Sequence, residues 1–414
     1  MWQVLSGIRI LDFSRVFAGP AATQVLADLG ADVIKIEEPG RGDEARYFGV
    51  TGHGPASGAG MSPSFVALNR NKRSIAIDLA SEPGRRAVKR LVPGCDVVLH
   101  NFRPGAMTRW GLGYDDVRAL RPDLIYGEFF AYGREGPYSH MGANDLALQA
   151  HSGLMSITGE VDRPPVRCGT SIVDLHASLA LVAAILAALL HRERTGEGQV
   201  LETSLLQSSA HLMNYFYGEY WAQGIVRKPM GTANHLSVPN QVFPTADGSV
   251  VIIAPSDDMW RRCAAALDRE RLDRPEYGTT VDRQRRREEV IAAISSVTGK
   301  MTSDEVVRRL AAAKVNVARV NDIGAAADDA QLAASGAIIE FEMDGRPVKA
   351  VGSPFGLHGP SRSADHAPPV LGAHTDEIFA QAGLSADDIA ALRAEGAFGG
   401  NGGAGANRQS TGAL

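Results

Sequence analysis

The chain has 414 residues, with 45 glycines and 21 prolines, an ordinary globular balance far from collagen-like or disordered composition. Hydrophobic residues make up 44% and charged residues 21%, and the length exceeds one usual core, so two domains are expected. A formal charge of −5 disfavours nucleic acid as a partner. The three cysteines, Cys95, Cys168 and Cys263, share no CxxC spacing, which fits a reducing compartment and excludes a disulfide framework or cysteine-based zinc module. No metal site is expected.

The N-terminus shows no basic segment followed by an apolar one, so no targeting signal is expected. The most hydrophobic stretch, 175–190, contains His176 and Ser178 and is bounded by Asp174 and by His191-Arg192-Glu193-Arg194. It is short for a membrane span and reads as a buried core helix. A soluble, cytoplasmic protein with no membrane partner is the expectation.

In chain order, residues 8–11 read as a strand. Gly19-Pro20 opens a helix to Leu29 with Gly30 as C-cap, and 33–36 form a second strand. Another unit follows, with strand 74–79, helix 82–91 and strand 96–99. Two adjacent β-α-β patterns predict a parallel α/β sheet of nucleotide-binding type. The turn 13–20 lacks GxGxxG, although Glu37 closes the second strand where a ribose-binding acid often sits; a solvated strand end is the alternative. Walker A, HExxH and GxSxG sequences are absent, which removes support for P-loop, zinc-protease and α/β-hydrolase chemistry.

Near Gly224 the character changes. Residues 224–245 read as loop, followed by a turn at Asp247-Gly248, a strand at 250–253, and helices near 256–268 and 282–296. A third helix begins at the capping box Thr302-Ser303-Asp304-Glu305. These elements define a smaller α+β domain over 225–330. The basic run 283–287, followed by Glu288-Glu289, reads as a solvated helix face. The chain returns through a hairpin at Asp344-Gly345 and a helix near Thr375, and ends in a low-complexity tail over 397–414.

Three features can carry chemistry. Asp174, in Gly169-Thr170-Ser171-Ile172-Val173-Asp174-Leu175-His176, stands immediately before the apolar helix. It can be an N-cap, or a carboxylate at the edge of a dry core, available as nucleophile or proton-transfer group. Position alone leaves both readings open. Asn101-Phe102-Arg103-Pro104-Gly105-Ala106-Met107-Thr108-Arg109 follows a strand, at the carboxyl end of the sheet where α/β folds bind ligands. Arg103 and Arg109 can grip phosphate bidentately, or be ordinary surface arginines. Asn71-Lys72-Arg73-Ser74 forms another basic edge. Together they describe a ligand with several phosphates over the first domain of a mildly acidic protein.

Further motifs recur in a recognisable order. They are Leu5-Ser6-Gly7-Ile8-Arg9-Ile10-Leu11-Asp12, Ala18-Gly19-Pro20, and Leu26-Ala27-Asp28-Leu29-Gly30-Ala31-Asp32-Val33-Ile34-Lys35-Ile36-Glu37. Asn71-Lys72-Arg73-Ser74, Asn101-Phe102-Arg103-Pro104-Gly105, Ser152-Gly153-Leu154-Met155 and Thr158-Gly159-Glu160 follow. His191-Arg192-Glu193-Arg194-Thr195-Gly196-Glu197-Gly198-Gln199 and Leu371-Gly372-Ala373-His374-Thr375-Asp376-Glu377-Ile378 complete the series. Over about residues 5–395 the chain resembles the family III coenzyme A transferases, the CaiB/BaiF group.

The resemblance implies an α/β fold with a Rossmann-like large domain, 1–224 plus 331–396, an inserted small domain, and a homodimer of interlocked rings. It implies coenzyme A as a co-substrate with no permanently bound cofactor, and an acyl-CoA and a carboxylic acid, possibly a dicarboxylate, as substrates. By position, Val16, Phe17 and Ala18 would border the nucleotide, and Ile77, Asp78, Leu79 and Ala80 the adenine. Asn101, Phe102, Arg103 and Arg109 would hold ribose and phosphates, with Asn144 also at the CoA site. The family's catalytic aspartate falls on Asp174, which would form acyl-aspartyl anhydride and aspartyl-CoA thioester intermediates. Asp145 falls where the transferases carry an acid near the reacting acyl group; a plain helix cap is the alternative.

Some residues depart from the pattern. Phe17 and Glu38 stand where some formyl-CoA transferases have Gln and Arg, and Asn234-His235-Leu236-Ser237-Val238-Pro239-Asn240 replaces their glycine-rich lid. Oxalate or formate chemistry is therefore disfavoured. An α-methylacyl-CoA racemase is the nearest rival, but its His-Asp base pair corresponds here to Asn144-Asp145, and Asn accepts no proton. His151 and His176 are the available substitutes. A non-catalytic CoA-binding protein is the other alternative.

Overall fold

The computed structural model describes residues 1–49, 61–358 and 365–399. Six strands, β1 (Arg9–Asp12), β2 (Asp32–Glu37), β3 (Lys72–Ala76), β4 (Val97–His100), β5 (Ile125–Phe130) and β6 (Val200–Ser204), form one parallel sheet. Their order is β3-β2-β1-β4-β5-β6. The connections carry α1 (Ala18–Asp28), α2 (Pro63–Asn69), α3 (Glu82–Leu91), α4 (Ala106–Arg109), α5 (Tyr114–Arg118), α6 (Asp145–His151) and α7 (Ile172–Thr195); α8 (Leu205–Leu212) follows β6. This is the doubly wound arrangement, in which the direction of winding reverses between β1 and β4.

The central strands β1 and β4 carry apolar residues toward both faces because both faces of the sheet are covered. Ile10, Val33, Val97 and Leu99 point into the core shared with α1 and α7. Leu11, Ile34, Ile75 and Val98 point the other way, toward α3 and the C-terminal helices Thr375–Gln381 and Ala386–Ala394. Each fully buried Ile or Leu contributes about 1.5–3 kcal/mol. β3 runs over Lys72–Ala76 instead of 74–79, because β2 ends at Glu37, the partner of Ala76, and leaves later residues no ladder. Gly30, at φ +101°, lies one residue beyond the C-cap Leu29, and a side chain there would collide with the Trp2 carbonyl.

The apolar helix differs from the expected core helix. α7 has 24 residues and is long and apolar enough, by length and composition, to cross a membrane. Only one face is buried, through Val173, Ala177, Leu181, Val182, Ile185 and Ala188, while Leu175, Leu179 and Leu190 are exposed.

The chain forms two compact units. The first is discontinuous: Met1–Leu154, Cys168–Trp221 and Ala333 onward. The second contains Ala222–Leu332 together with Met155–Arg167, a stretch the sequence assigned to the large domain. Within it, β7 (Asn240–Thr245), β8 (Gly248–Ile253) and β9 (Asn316–Arg319) form an antiparallel sheet. β7 occupies residues expected as loop; its pairing to β8 supplies the order that local propensity does not. Arg283 is fully buried, donating to the Val238 and Tyr277 carbonyls and pairing with Asp257 at 3.1 Å. The basic run 283–287 is therefore not simply a solvated face. Back in the first unit, β10 (Ile338–Met343) and β11 (Arg346–Val351) form the expected hairpin, with Asp344 and Gly345 both at positive φ as a type I′ turn requires. The low-complexity tail lies, from residue 400, outside the described residues.

Candidate active site

The carboxyl ends of β1, β4 and β5 and the first turn of α7 surround a cavity of about 310 Å³. The β1 connection contributes Arg15, Val16, Phe17 and Ala18, and the β4 connection Asn101, Phe102, Arg103 and Pro104. Phe129, Phe130 and Ala131 come from the end of β5, and Asn144 and Asp174 complete much of the wall. Where winding reverses, the two connections diverge and open a crevice.

Of the residues singled out in the sequence, Val16, Phe17, Ala18, Asn101, Phe102, Arg103, Asn144 and Asp174 meet there. Asp145, Arg109 and Ile77–Ala80 are not among the lining residues. Ile77 and Leu79 are core residues at the end of β3, with Asp78 half-buried and Ala80 exposed. The sequence reading missed Phe129, Phe130 and Ala131. Their signal is the apolar run 125–130, a buried parallel strand whose end marks the same sheet edge. It also missed Glu44 and Phe48, which line the cavity from a short turn with no local signature.

Two loops form the floor. Asn101 Oδ1 accepts the Arg15 N–H at 2.9 Å, and its Nδ2 donates to the Arg15 carbonyl at 2.8 Å. The Asn101 amide thus joins the β1 and β4 connections. The Arg15 guanidinium lies 5.2 Å from the Phe102 ring centroid. Arg103 and Arg109 are exposed, and among the described residues neither guanidinium has a hydrogen-bond or ion-pair partner. Gly105, at φ +78°, turns the chain between them into α4.

The N-terminus of α7 is closed from a distance. Ser171 makes no side-chain cap, and Asp174 sits inside the first turn. Asp145 Oδ2 accepts the N–H groups of Val173 at 2.8 Å and Asp174 at 3.2 Å. Asp145 is buried, and its Oδ1 accepts from the Gln149 amide, whose Oε1 accepts the Cys168 N–H at 2.9 Å. Asn144 caps α6 through the Ala147 N–H at 3.2 Å. The cap that local sequence offered to Asp174 is therefore supplied by Asp145. Asp174 remains a half-buried carboxyl on the cavity wall. Burial first, and then the neighbouring Asp145 carboxylate, pushes its pKa up to about 7. Once ionised, such a carboxylate is more basic than an ordinary one and so a stronger nucleophile.

Other candidates go elsewhere. Glu37 is buried against Arg46, accepting two bonds of 2.7 Å, and accepts a third from Ser74 at 2.8 Å. Its carboxylate is committed to the core, which overturns the ribose-binding reading. Lys72 is buried on the Pro20 carbonyl at 2.9 Å and Asn69 Oδ1 at 3.0 Å; Arg73 pairs with Asp32 and Glu377. Asn71 to Ser74 is consequently an internal polar network. His176 bonds Ser208 at 3.1 Å and His211 at 3.2 Å and lies off the cavity wall. A larger cavity of about 910 Å³ lies among α1, α2, β10 and β11 and shares Phe17 with the first. No cluster of three His, Cys, Asp or Glu residues suited to a metal occurs among the described residues.

Comparison with known proteins adds the chemistry. The family model for CoA-transferase family III matches residues 5–375. The chain is similar to a succinate–glutarate CoA-transferase of Agrobacterium fabrum, 35% identical over 380 residues covering 91% of this chain and 95% of the relative. It is also similar to a succinyl-CoA–D-citramalate CoA-transferase of Chloroflexus aurantiacus, 34% identical over 402 residues, 94% of this chain and 97% of the relative. A crystal structure of a CaiB/BaiF family protein from Brucella suis is 31% identical, with a TM-score of 0.82, covering 92% of this chain and all of that one. A family match spanning most of the sequence, on a fold shared with a solved member, shows that the chain belongs to the family III CoA-transferases and is an enzyme that uses CoA as a co-substrate.

Proposed function

We propose that the enzyme moves CoA from succinyl-CoA or a similar acyl-CoA to a dicarboxylic acid, with Asp174 as nucleophile. The substrate class rests on the relatives, whose names pair succinate or succinyl-CoA with glutarate and with D-citramalate. The observation that carries the residue assignment is a carboxyl with its pKa raised to about 7, on the wall of the switch-point cavity.

Four balanced steps follow. The Asp174 carboxylate attacks the thioester carbonyl, releasing CoA thiolate and forming a mixed anhydride. The thiolate attacks the Asp174 carbonyl of that anhydride, giving aspartyl-CoA thioester and the free donor acid. The acceptor carboxylate displaces CoA thiolate from Asp174, forming a second anhydride. The thiolate then attacks the acceptor's acyl carbon, yielding the new acyl-CoA and regenerating Asp174. The energy of the thioester stays in acyl bonds throughout, and the aromatic walls at Phe17, Phe102 and Phe129 limit water at the anhydrides.

Asp145 serves as a positioning residue, orienting the first turn of α7 through two N–H groups. Arg103 and Arg109, both without a partner among the described residues, take the CoA phosphates, and Val16 to Ala18 with Phe102 and Asn144 border the nucleotide. The adenine extends along the sheet edge toward Ile77–Ala80. Asn101 contributes through its hold on Arg15. The Asn144 side chain caps α6 and has no basic atom, which disfavours the two-base racemase reading. Two chains form the interlocked dimer, in which the exposed Leu175, Leu179 and Leu190 of α7 find cover. Three cysteines without paired spacing favour a reducing location such as the cytoplasm.

The test is incubation with succinyl-CoA and a panel of dicarboxylic acids, quenched with hydroxylamine and read by mass spectrometry. The expected result is CoA exchange and a hydroxamate on the peptide bearing Asp174. Exchange with no adduct, unchanged in Asp174→Asn, sinks the nucleophile assignment. Deuterium entering the α-carbon of an acyl-CoA without an acceptor acid points instead to the racemase.

A further inference from the structure

Three consecutive residues of the short loop after β1, Ser14, Arg15 and Val16, are held through their backbone by side chains outside the loop. The Ser14 N–H donates to Asp12 at 2.9 Å, and the Ser14 carbonyl accepts from Lys35 Nζ at 2.9 Å. Arg15 is clamped at both backbone atoms by Asn101. The Val16 N–H donates to both carboxylate oxygens of Asp43, at 3.1 and 3.2 Å. Asp43 is 1% exposed and pairs at 2.8 Å with Lys35, itself fully buried. Gly19 lets α1 pack directly on this loop, since a side chain there would collide with Ser14.

The conformation so held is unfavourable. Val16 has φ +72°, a left-handed backbone that a β-branched residue adopts only under constraint. Such outliers persist where surrounding structure over-determines them, and they cluster at ligand clamps. Val16 and the following Phe17 line the switch-point cavity, whereas Asp43 and Lys35 do not. The ionic pair therefore acts on the cavity through the loop.

We infer that Asp43, backed by Lys35, is a positioning residue that holds Val16 in its left-handed conformation and so shapes the CoA seat before CoA arrives. This rests on the reading of the cavity as the CoA site. Asp43 accepts the Val16 N–H while Asn101 bonds both backbone atoms of Arg15, so that the loop is set by two separate anchors. Lys35 supplies the countercharge that lets a carboxylate occupy this buried position.

The experiment titrates CoA into the full-length enzyme by calorimetry and measures transferase kinetics alongside. Wild-type enzyme that fails to bind CoA rejects the site reading itself. Given wild-type binding, Asp43→Ala raises the CoA dissociation constant about tenfold, from loss of a bond to a charged acceptor, while kcat at saturating succinyl-CoA changes less than about threefold. Adding Val16→Gly, which makes the left-handed backbone accessible without a Cβ clash, recovers most of the affinity. Unchanged affinity in Asp43→Ala, or no recovery in the double variant, overturns the inference. Hydrogen exchange on wild-type enzyme supplies a second measurement that needs no variant to fold. The expected result is that the Arg15 and Val16 amides are slow to exchange both without and with CoA. Fast exchange that slows only on adding CoA overturns the inference.

Discussion

The chain at the start of β3 and the connection leaving β4 carry similar basic sequences and meet opposite fates. At the first, Arg70 pairs with Asp28, Lys72 is fully buried beside Asp12, and Arg73 pairs with Asp32 and Glu377. Burial drives the Lys72 pKa down to about 7 despite the opposing pull of Asp12. At the second, Arg103 and Arg109 stand in solvent with no partner among the described residues. The difference follows from direction. Residues 70–73 lie at the amino end of the sheet's strands, packed with α1 and α2, while Asn101–Arg109 leaves the carboxyl end, where the crevice opens. Charge shows that a residue can bind an anion; its partners decide whether it is available. The paired set should therefore carry stability, and the unpaired set, with Asp174, should carry activity.

Four measurements can break or sharpen that division. The largest effect is expected at Asp174, where Asp174→Asn lowers CoA exchange by on the order of 10⁴-fold, as loss of a residue acting directly in covalent chemistry does. CoA affinity stays near wild type. The fold responds in the opposite direction. The Asp174 pKa is raised in the folded state, so the unfolded chain loses its proton first as pH rises from about 4 to about 7, and stability falls over that window. Asp174→Asn removes this cost, stabilising the protein at pH 8 by on the order of 1–2 kcal/mol after solvent screening, with no gain at pH 3. Thermal melts at the two pH values check it, and destabilisation at pH 8 contradicts the division.

Arg70→Ala belongs to the other class. It leaves Asp28 buried without its cation and should cost about 3–5 kcal/mol in denaturant unfolding. The KM for the acyl-CoA donor per folded enzyme stays unchanged; a large rise in KM would place Arg70 in the functional set. Arg103→Ala is the converse case, expected to raise the KM for the acyl-CoA donor about tenfold through a lost phosphate contact. Its unfolding free energy stays within about 0.5 kcal/mol of wild type. Equal effects of Arg103→Ala and Arg73→Ala on KM would erase the distinction between the two stretches.

The smallest effect concerns pH. On the proposed role of Asp174, its ionised form attacks the thioester, so kcat/KM is expected to rise with pH through a midpoint near 7. Asp145→Asn removes the second cause of the shift and moves that midpoint down. It stays above the ordinary carboxylate range because burial, the larger cause, remains. A midpoint that does not move would mean that Asp145 acts only as a cap.

Much of the architecture follows from local pattern. The alternation of short apolar strands with amphipathic helices is enough to read the parallel sheet, and α3 (Glu82–Leu91) falls at the residues expected for it. Asp174, Arg103 and Asn101 were legible as candidates because each follows a strand or opens a helix, positions where α/β proteins bind ligands. The pairing of β7, by contrast, needs β8 opposite it, and the buried role of Arg283 needs carbonyls up to 45 residues away in sequence.

The identity of charged groups and their place along the chain is written in the sequence, and so are the family motifs that mark a CoA-transferase. The state of each charge depends on neighbours remote in sequence. Glu37 and Asp174 are both acids beside apolar stretches, and no local rule separates them. Folding brings Arg46 to the first as a countercharge, and Asp145, a like charge, to the second. Coulomb interaction and desolvation act through space, so one carboxylate becomes a structural tie and the other a group able to react.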